Sequence, residues 1–293
     1  MKLGFLNACL MDWSPEKLAR FAAEHGFDAV ELHGGPRYTA VSWPDIASGD
    51  AKAIASIRQP LEDHGIVCSG IMYGALPFLH PDPSQREYAV NYVTMLLRAA
   101  ARLGVGVVST FAGRSLEHDV SGNVAFFKGV FAPIVEEAEK LQVVIALENC
   151  AMTHGFAPAT NIAYSPAIWA ELFEAIPSRH LGLNFDPSHL QWMGGDVVRA
   201  AASFGDRIVH VQAKDAEVLT DRLAVTTILG DGWWRYRIPG YGEVPWGRLF
   251  SALREAGYGG VISIEHEDPV WTGSDDRVID GLVRSGQFLR PFL

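Results

Sequence analysis

Cysteine is scarce in this chain. Three residues (Cys9, Cys68 and Cys150) among 293 are an odd number without metal-type spacing, which excludes a disulfide framework and points to a reducing compartment. Positive charge is also short. Lys and Arg total 24 against 34 Asp and Glu, a net charge of −10, whereas binding to a phosphate backbone needs clustered Lys and Arg. No apolar run approaches the roughly 18 residues of a membrane span. The opening stretch Met1–Asp12 has too short an apolar segment for a secretory signal. These absences lead us to expect a cytoplasmic protein with neither a nucleic-acid nor a membrane partner.

No glycine-rich turn follows the first strand-like run either. Asn7-Ala-Cys-Leu-Met-Asp12 stands where a dinucleotide-binding fold would place one. What is present instead is an unbroken alternation. Short, β-branched runs, apolar on both faces, occur at 3–8, 28–32, 67–72, 106–111, 143–148, 181–186, 208–212 and 261–265, as buried parallel strands require. Helical patterns separate them. The first opens on Ser14-Pro15-Glu16, a cap, a proline at the first helical position and an acid in the first turn, and stops at Gly26. The next two stop at Gly65 and Gly104, and others fit 121–141, 165–176, 195–204, 247–256 and 275–289. Eight strand–helix units predict an α/β protein of one domain over 1–293, a (β/α)8 TIM barrel. A long irregular segment at 214–246, rich in Gly, Trp, Arg and Tyr, is expected to be functional.

The last four strands share a peculiarity. They end on Glu148, Asp186, Gln212 and Glu265. A charged or chelating residue straight after an apolar strand is costly to bury unless something convergent awaits it, and in a barrel these ends meet at one face. Carboxylates with a neutral donor suit a divalent cation; oxygen-rich ligation favours Mn²⁺ or Mg²⁺, and a histidine shifts the preference towards Zn²⁺, Co²⁺ or Mn²⁺. Each residue also has a plainer reading. Glu148 could cap a helix, Asp186 could form an Asx-turn with Pro187-Ser188, and His210 could be a buried core histidine.

The segments Ala146-Leu-Glu-Asn149, Asn184-Phe-Asp-Pro-Ser-His189, His210-Val-Gln-Ala-Lys-Asp215, Pro239-Gly-Tyr-Gly-Glu-Val-Pro-Trp246 and Ile264-Glu265 carry a resemblance. With them the chain resembles the sugar phosphate isomerase/epimerase family of xylose isomerase-like barrels, which includes ketose 3-epimerases, inosose isomerases and dehydratases, and 3-oxo-glycoside eliminases. The resemblance covers nearly the whole chain. It implies one metal held by Glu148, Asp186, a strand-seven histidine and Glu265, with the two glutamates also moving a proton. The family's seventh-strand motif usually reads His-x-His-x-Lys-Asp with the second histidine as ligand, and here that position is Gln212. Either Gln212 coordinates through its amide oxygen, or His210 does, or the site is weakened; Gln212 is the expected ligand and Mn²⁺ the expected ion.

The resemblance implies a sugar isomerase or epimerase acting on a keto-sugar or cyclitol, removing a proton beside a carbonyl to give a metal-stabilised enolate. The alternative is a lyase, a dehydratase or β-eliminase acting on inososes or 3-oxo-glycosides, that shares the first half-reaction. His189 is the expected hydrogen-bond donor to substrate, with His210, Glu31, Arg235, Arg237 and Lys214 as further contacts. Lys214 and Asp215 could equally form a structural ion pair. Trp233, Trp234 and Trp271 could stack on a sugar ring or pack the loop, Trp246 is assigned to packing, and Cys150 to inert packing. A zinc-dependent DNA-repair barrel is excluded, because strands two to four offer only Glu31, His33, Tyr73, Ser109 and Thr110. A homodimer is expected through outer helices or the long loop.

Overall fold

A computed structural model describes residues 1–153 and 158–293. Its strands are β1 (Lys2–Leu6), β2 (Ala29–His33), β3 (Val67–Met72), β4 (Val107–Thr110), β5 (Val144–Glu148), β6 (Leu181–Phe185), β7 (Ile208–Ala213), β8 (Asp215–Val218), β9 (Trp234–Arg237) and β10 (Val261–Ile264). Eight of them close a parallel barrel in the ring order β1-β10-β7-β6-β5-β4-β3-β2. The eight strands anticipated from the apolar runs are the eight barrel strands. Closure pairs Lys2 with Val261 and Phe5 with Ile264, so the ends of β1 and β10 finish level at the mouth.

Local chemistry sets the helices. Ser14 Oγ accepts from Lys17 N in front of Pro15–Glu24, and Asp82 and Asp119 do the same for Pro83–Leu103 and Val120–Leu141. Gly104 closes its helix at φ +74°, where a side chain is strained. Gly182 has a different purpose. A β-carbon there would lie 2.8 Å from the Arg207 carbonyl oxygen, so glycine lets β6 and β7 approach. The core lies between strands and helices, with Phe127 stacked on Phe131 and Trp169 edge-on to Phe185.

Strand β7 sorts its side chains by alternation. His210, Gln212 and then Lys214 face the barrel interior, at successive heights, while the residues between them face out. All three are buried. The register slips once between Leu183 and Asn184 where β6 meets β7, which brings Asn184 opposite His210.

The segment expected to be irregular, 214–246, folds into a second small sheet. β8 and β9 pair antiparallel, Asp215 opposite Arg237 and Val218 opposite Trp234, with a short helix Thr220–Thr226 between them. Two aspartates moor it. Asp215 accepts from Ala216 N, Val244 N, Gly240 N and the Trp246 indole N–H, all within 3.0 Å. Asp268 accepts from Arg237 Nε and Ile238 N. Trp192 stacks on Trp234 at 4.2 Å and meets Trp233 edge-on. A gapped helical and strand pattern this short is hidden in sequence, because β8 has four residues and its partner lies sixteen residues downstream.

Asp215 therefore governs the whole excursion. We expect Asp215→Ala to strand buried backbone N–H groups and cost about 2–4 kcal/mol, read as a lowered urea midpoint by tryptophan fluorescence. A midpoint equal to wild type would contradict the anchoring role.

Candidate active site

The mouth of the barrel gathers charge of one sign. Glu148, at the end of β5, Asp186, just after β6, and Glu265, just after β10, each bring an oxygen within 4.8 Å of the others. Glu267 adds a fourth carboxylate from the same loop as Glu265. The counter-charge is Lys214. Its Nζ lies 2.8 Å from Glu265 Oε2, 2.8 Å from Glu267 Oε2 and 3.1 Å from Asp186 Oδ2, and 4.5 Å above the Tyr236 ring. Burial works against its charge, yet the three carboxylates hold its pKa well above that of an ordinary lysine. Glu267 is correspondingly held down, chiefly by Lys214.

Glu148 and Glu265 behave in the opposite sense. Burial pushes Glu148 up to about 8, against the pull of Lys214 and with help from the charges of Glu267 and Glu31. Glu265 is also pushed up, by burial first, then by Glu148 and Glu267, with Lys214 opposing. His189, on the turn of helix after Asp186, sits between Glu148 and Asp186. Its Nε2 is 3.2 Å from Glu148 Oε1 and 3.3 Å from Asp186 Oδ2, and its Nδ1 is 2.9 Å from the Tyr236 hydroxyl. Burial lowers its pKa to about 4, so the ring is neutral. With the proton on Nε2, it serves both carboxylates and accepts from Tyr236 at Nδ1.

Other anticipated residues lie deeper or further out. Glu31 is wholly buried; it accepts from Ser263 Oγ at 2.7 Å and faces Gln212 Nε2 at 3.4 Å. His210 sits with Asn184 and Ser69. Arg237 is bound to Glu217 and Asp268, and Arg235 to Glu217. Trp271 packs against Tyr241 and Arg284. Trp246 is buried on Asp215 and Trp233 sits in the tryptophan cluster, so both are packing residues. Lys214 and Asp215 do not pair with each other, because successive residues leave the strand on opposite faces. A cavity of about 590 Å³, lined in part by Trp234, Arg235, Tyr236, Glu267 and Pro269, adjoins the cluster. Trp234 and Tyr236, two apart on β9, both reach it.

Tyr236 was not singled out from sequence. Its side chain enters the site only because β9 folds back beside β8, and the alternating aromatic run Trp234-Arg-Tyr236 is the one local hint of that strand. Cys150 was read as packing, and it is buried, but its sulfur shares the 4.8 Å neighbourhood of Glu148 and His189. Burial and then the charge of Glu148 keep that thiol protonated.

The donor set suits a hard divalent ion. Glu148 Oε2 and Gln212 Oε1 are buried acceptors without a hydrogen-bond donor, and Glu148, Asp186 and Glu265 converge with oxygens within 4.8 Å of one another. Gln212 gives its amide nitrogen to Glu31 and so leaves its oxygen available, the orientation a cation ligand needs.

A family model for the xylose isomerase-like TIM barrel matches residues 19–290. The chain belongs to that family. It is 34% identical over 304 residues to the uncharacterized protein YfiH of Bacillus subtilis, covering 92% of this chain and 93% of the relative. The barrel also superposes on a D-psicose 3-epimerase (TM-score 0.75, 16% identity, 100% and 99% of the two chains). A probable 3-DHS dehydratase from Bacillus anthracis, AsbF, gives a TM-score of 0.75 at 18% identity over 99% of both chains. A 3-keto-D-glucoside 4-epimerase from E. coli, YcjR, gives 0.72 at 16% identity over 99% of both. At such identities the three structures establish the fold. Among the described residues, no helix is long and apolar enough to cross a membrane.

The raised Glu148 carboxyl has a consequence for the metal-free chain. Its folded pKa lies above its ordinary value of 4.5, so its contribution to stability is complete below about pH 4.5 and is lost as pH rises through about 8. Glu148→Gln in EDTA should flatten that decline and exceed wild type by roughly 1–3 kcal/mol at about pH 9. A variant less stable than wild type at that pH would show that Glu148 is not a strained carboxylate.

Proposed function

We propose that this barrel is a sugar isomerase or epimerase that moves a proton beside the carbonyl of a keto-sugar or cyclitol. One observation carries the reading: two buried glutamates, Glu148 and Glu265, bring oxygens within 4.8 Å of each other at the mouth, both pushed upward in pKa by burial, with a neutral histidine against Glu148. A group that exchanges protons with carbon works best when its pKa lies near the working pH, and such a group contributes roughly 10²–10⁴-fold. Here Glu148 and Glu265 are the proton-transfer pair, one taking and the other returning the proton. His189 positions Glu148 through its one N–H, on Nε2, and Tyr236 holds the ring from the other side. Lys214 orients Glu265 and keeps the pair from repelling each other apart.

A divalent ion, Mn²⁺ in our reading with Mg²⁺, Co²⁺ and Zn²⁺ as the other fits, would be held by Glu148, Asp186, Gln212 and Glu265, and supplies Lewis-acid stabilisation of charge on the substrate carbonyl oxygen. The aromatic wall of Trp234 and Tyr236 suits the apolar face of a sugar ring, and Arg235 beside it can take a hydroxyl. Glu31, His210, Arg237 and Trp271, anticipated as substrate contacts, serve in this reading as support: the first two hold the layer under the ion site and the others brace its rim.

The adjoining cavity favours a second reading. It leaves room for a substituent beyond one ring, so elimination from a 3-oxo-glycoside or an inosose by the same first step is the alternative. Both kinds of activity appear in the names of proteins with this fold, an epimerase and a dehydratase among them.

Purified protein replete with Mn²⁺, incubated with a panel of ketoses, inososes and 3-oxo-glycosides in D₂O, separates the readings. Epimerisation places deuterium on the carbon next to the carbonyl, whereas elimination yields an unsaturated ketone absorbing in the ultraviolet. Glu148→Gln and Glu265→Gln should each lower turnover by at least about 100-fold. Turnover within a few-fold of wild type in either variant would rule out the paired-carboxylate scheme.

A further inference from the structure

We infer that Lys214 is a tethered cation that shares the carboxylate cluster with the divalent ion, and that the two cannot both hold Asp186 Oδ2. The inference deepens the proposed function, and it rests on the ion-site part of that reading but not on the reaction.

Three observations support it. The Lys214 ammonium touches Asp186 and Glu265, two of the three carboxylates that converge for an ion, and its third partner, Glu267, lies outside that group. Asp186 Oδ2 is the shared atom. It is buried, belongs to the group of oxygens that converge for an ion, and lies 3.1 Å from the ammonium. Lys214 is almost wholly buried, yet its tip rests on the Tyr236 ring and reaches Glu267, whose outer side is exposed. The ammonium thus has two carboxylates to keep, Glu265 and Glu267, if an ion takes Asp186.

The electrostatics point the same way. Four carboxyl groups share one ammonium, so a divalent ion that takes the place of the protons on Glu148 and Glu265 is drawn in. The same ammonium repels that ion at close range inside a low-dielectric site. A chain without Lys214 would have a cluster unable to fold quietly without metal, and one that holds metal more tightly. With Lys214 the cluster is partly neutralised from within, and the ion binds as an exchangeable partner. Gln212 fits this division, since a neutral amide oxygen is a weaker ligand than imidazole for most transition ions.

The test measures Mn²⁺ binding, read from the electron paramagnetic resonance of free Mn²⁺, with no substrate present. Lys214→Met should tighten Mn²⁺ binding by roughly tenfold or more, and its melting temperature should fall in EDTA and recover with Mn²⁺. Wild type should show a smaller rise in melting temperature between EDTA and Mn²⁺ than Lys214→Met does. Lys214→Arg, which keeps the charge, should bind Mn²⁺ as wild type does. Equal or weaker Mn²⁺ binding in Lys214→Met overturns the inference. Should neither variant fold, a crystal structure of wild type soaked in Mn²⁺ decides. Nζ withdrawn from Asp186 Oδ2 towards Glu267 supports the inference, and Nζ still within hydrogen-bond reach of Asp186 Oδ2 beside a bound Mn²⁺ refutes it. Absence of sugar turnover in all these proteins would bear on the proposed reaction alone.

Discussion

Burial of like charge is the constraint on which the mouth of this barrel depends. Three carboxylates with oxygens within 4.8 Å of one another repel by on the order of 3 kcal/mol per pair at an effective dielectric of about 20. No fold of ordinary stability carries that unanswered. The answer comes in three forms: an ammonium just past the end of β7, a shift of Glu148 and Glu265 towards their protonated forms, and a histidine kept neutral so that it donates without adding charge. Each of these is also a means of handling protons. A site strained in this manner is where perturbed acids are expected to be functional.

The scaffold resolves the difficulty by dividing labour between two layers. Below the cluster, Glu31, Ser263, Gln212, His210 and Asn184 form a buried polar floor that is nearly self-contained. Above it, β8 and β9 swing Tyr236 over Lys214 and behind His189. The barrel supplies the acids, while the excursion between β7 and β10 supplies the wall and the neighbouring cavity. The two are joined at Asp215, one residue after Lys214, so the residue that faces the charge cluster and the one that holds the wall are adjacent in the chain.

Much of the barrel was legible because its signals are local. Buried parallel strands are continuous apolar runs, and Ser14-Pro15, Asp82 and Asp119 mark helix starts within a turn of where they act. The polar ends Glu148, Asp186 and Glu265 were legible for the same reason, since each breaks an apolar run at its last position. Lys214 was visible as a residue but not as the hub of the cluster. Its partners come from the ends of β6 and β10, and only ring closure makes them neighbours. Tyr236 was less visible still, because its place depends on a hairpin whose two strands are four residues each and joined by a helix with no buried face. The roles of Arg237 and Trp271 could not be read for a related reason: the spacing put them near the mouth, but the partners that hold them, Asp268 and Arg284, lie some thirty and thirteen residues on.

The alternation along β7 makes this stretch of chain intolerant of insertion or deletion. His210, Gln212 and Lys214 look inward and Val211, Ala213 and Asp215 look outward, and both sets are committed. A slip of a single residue would exchange them wholesale. Asp215 would enter an already negative cavity, Lys214 would be thrust among apolar helices, and the four hydrogen bonds at the base of the hairpin would be lost together. The neighbouring strand already accommodates one irregularity, between Leu183 and Asn184, and that offset sets His210 against Asn184. Length, and not only composition, is therefore under constraint from residue 208 to residue 215. Natural variation in this barrel should come as substitutions there and as changes of length in the chain between β8 and β9.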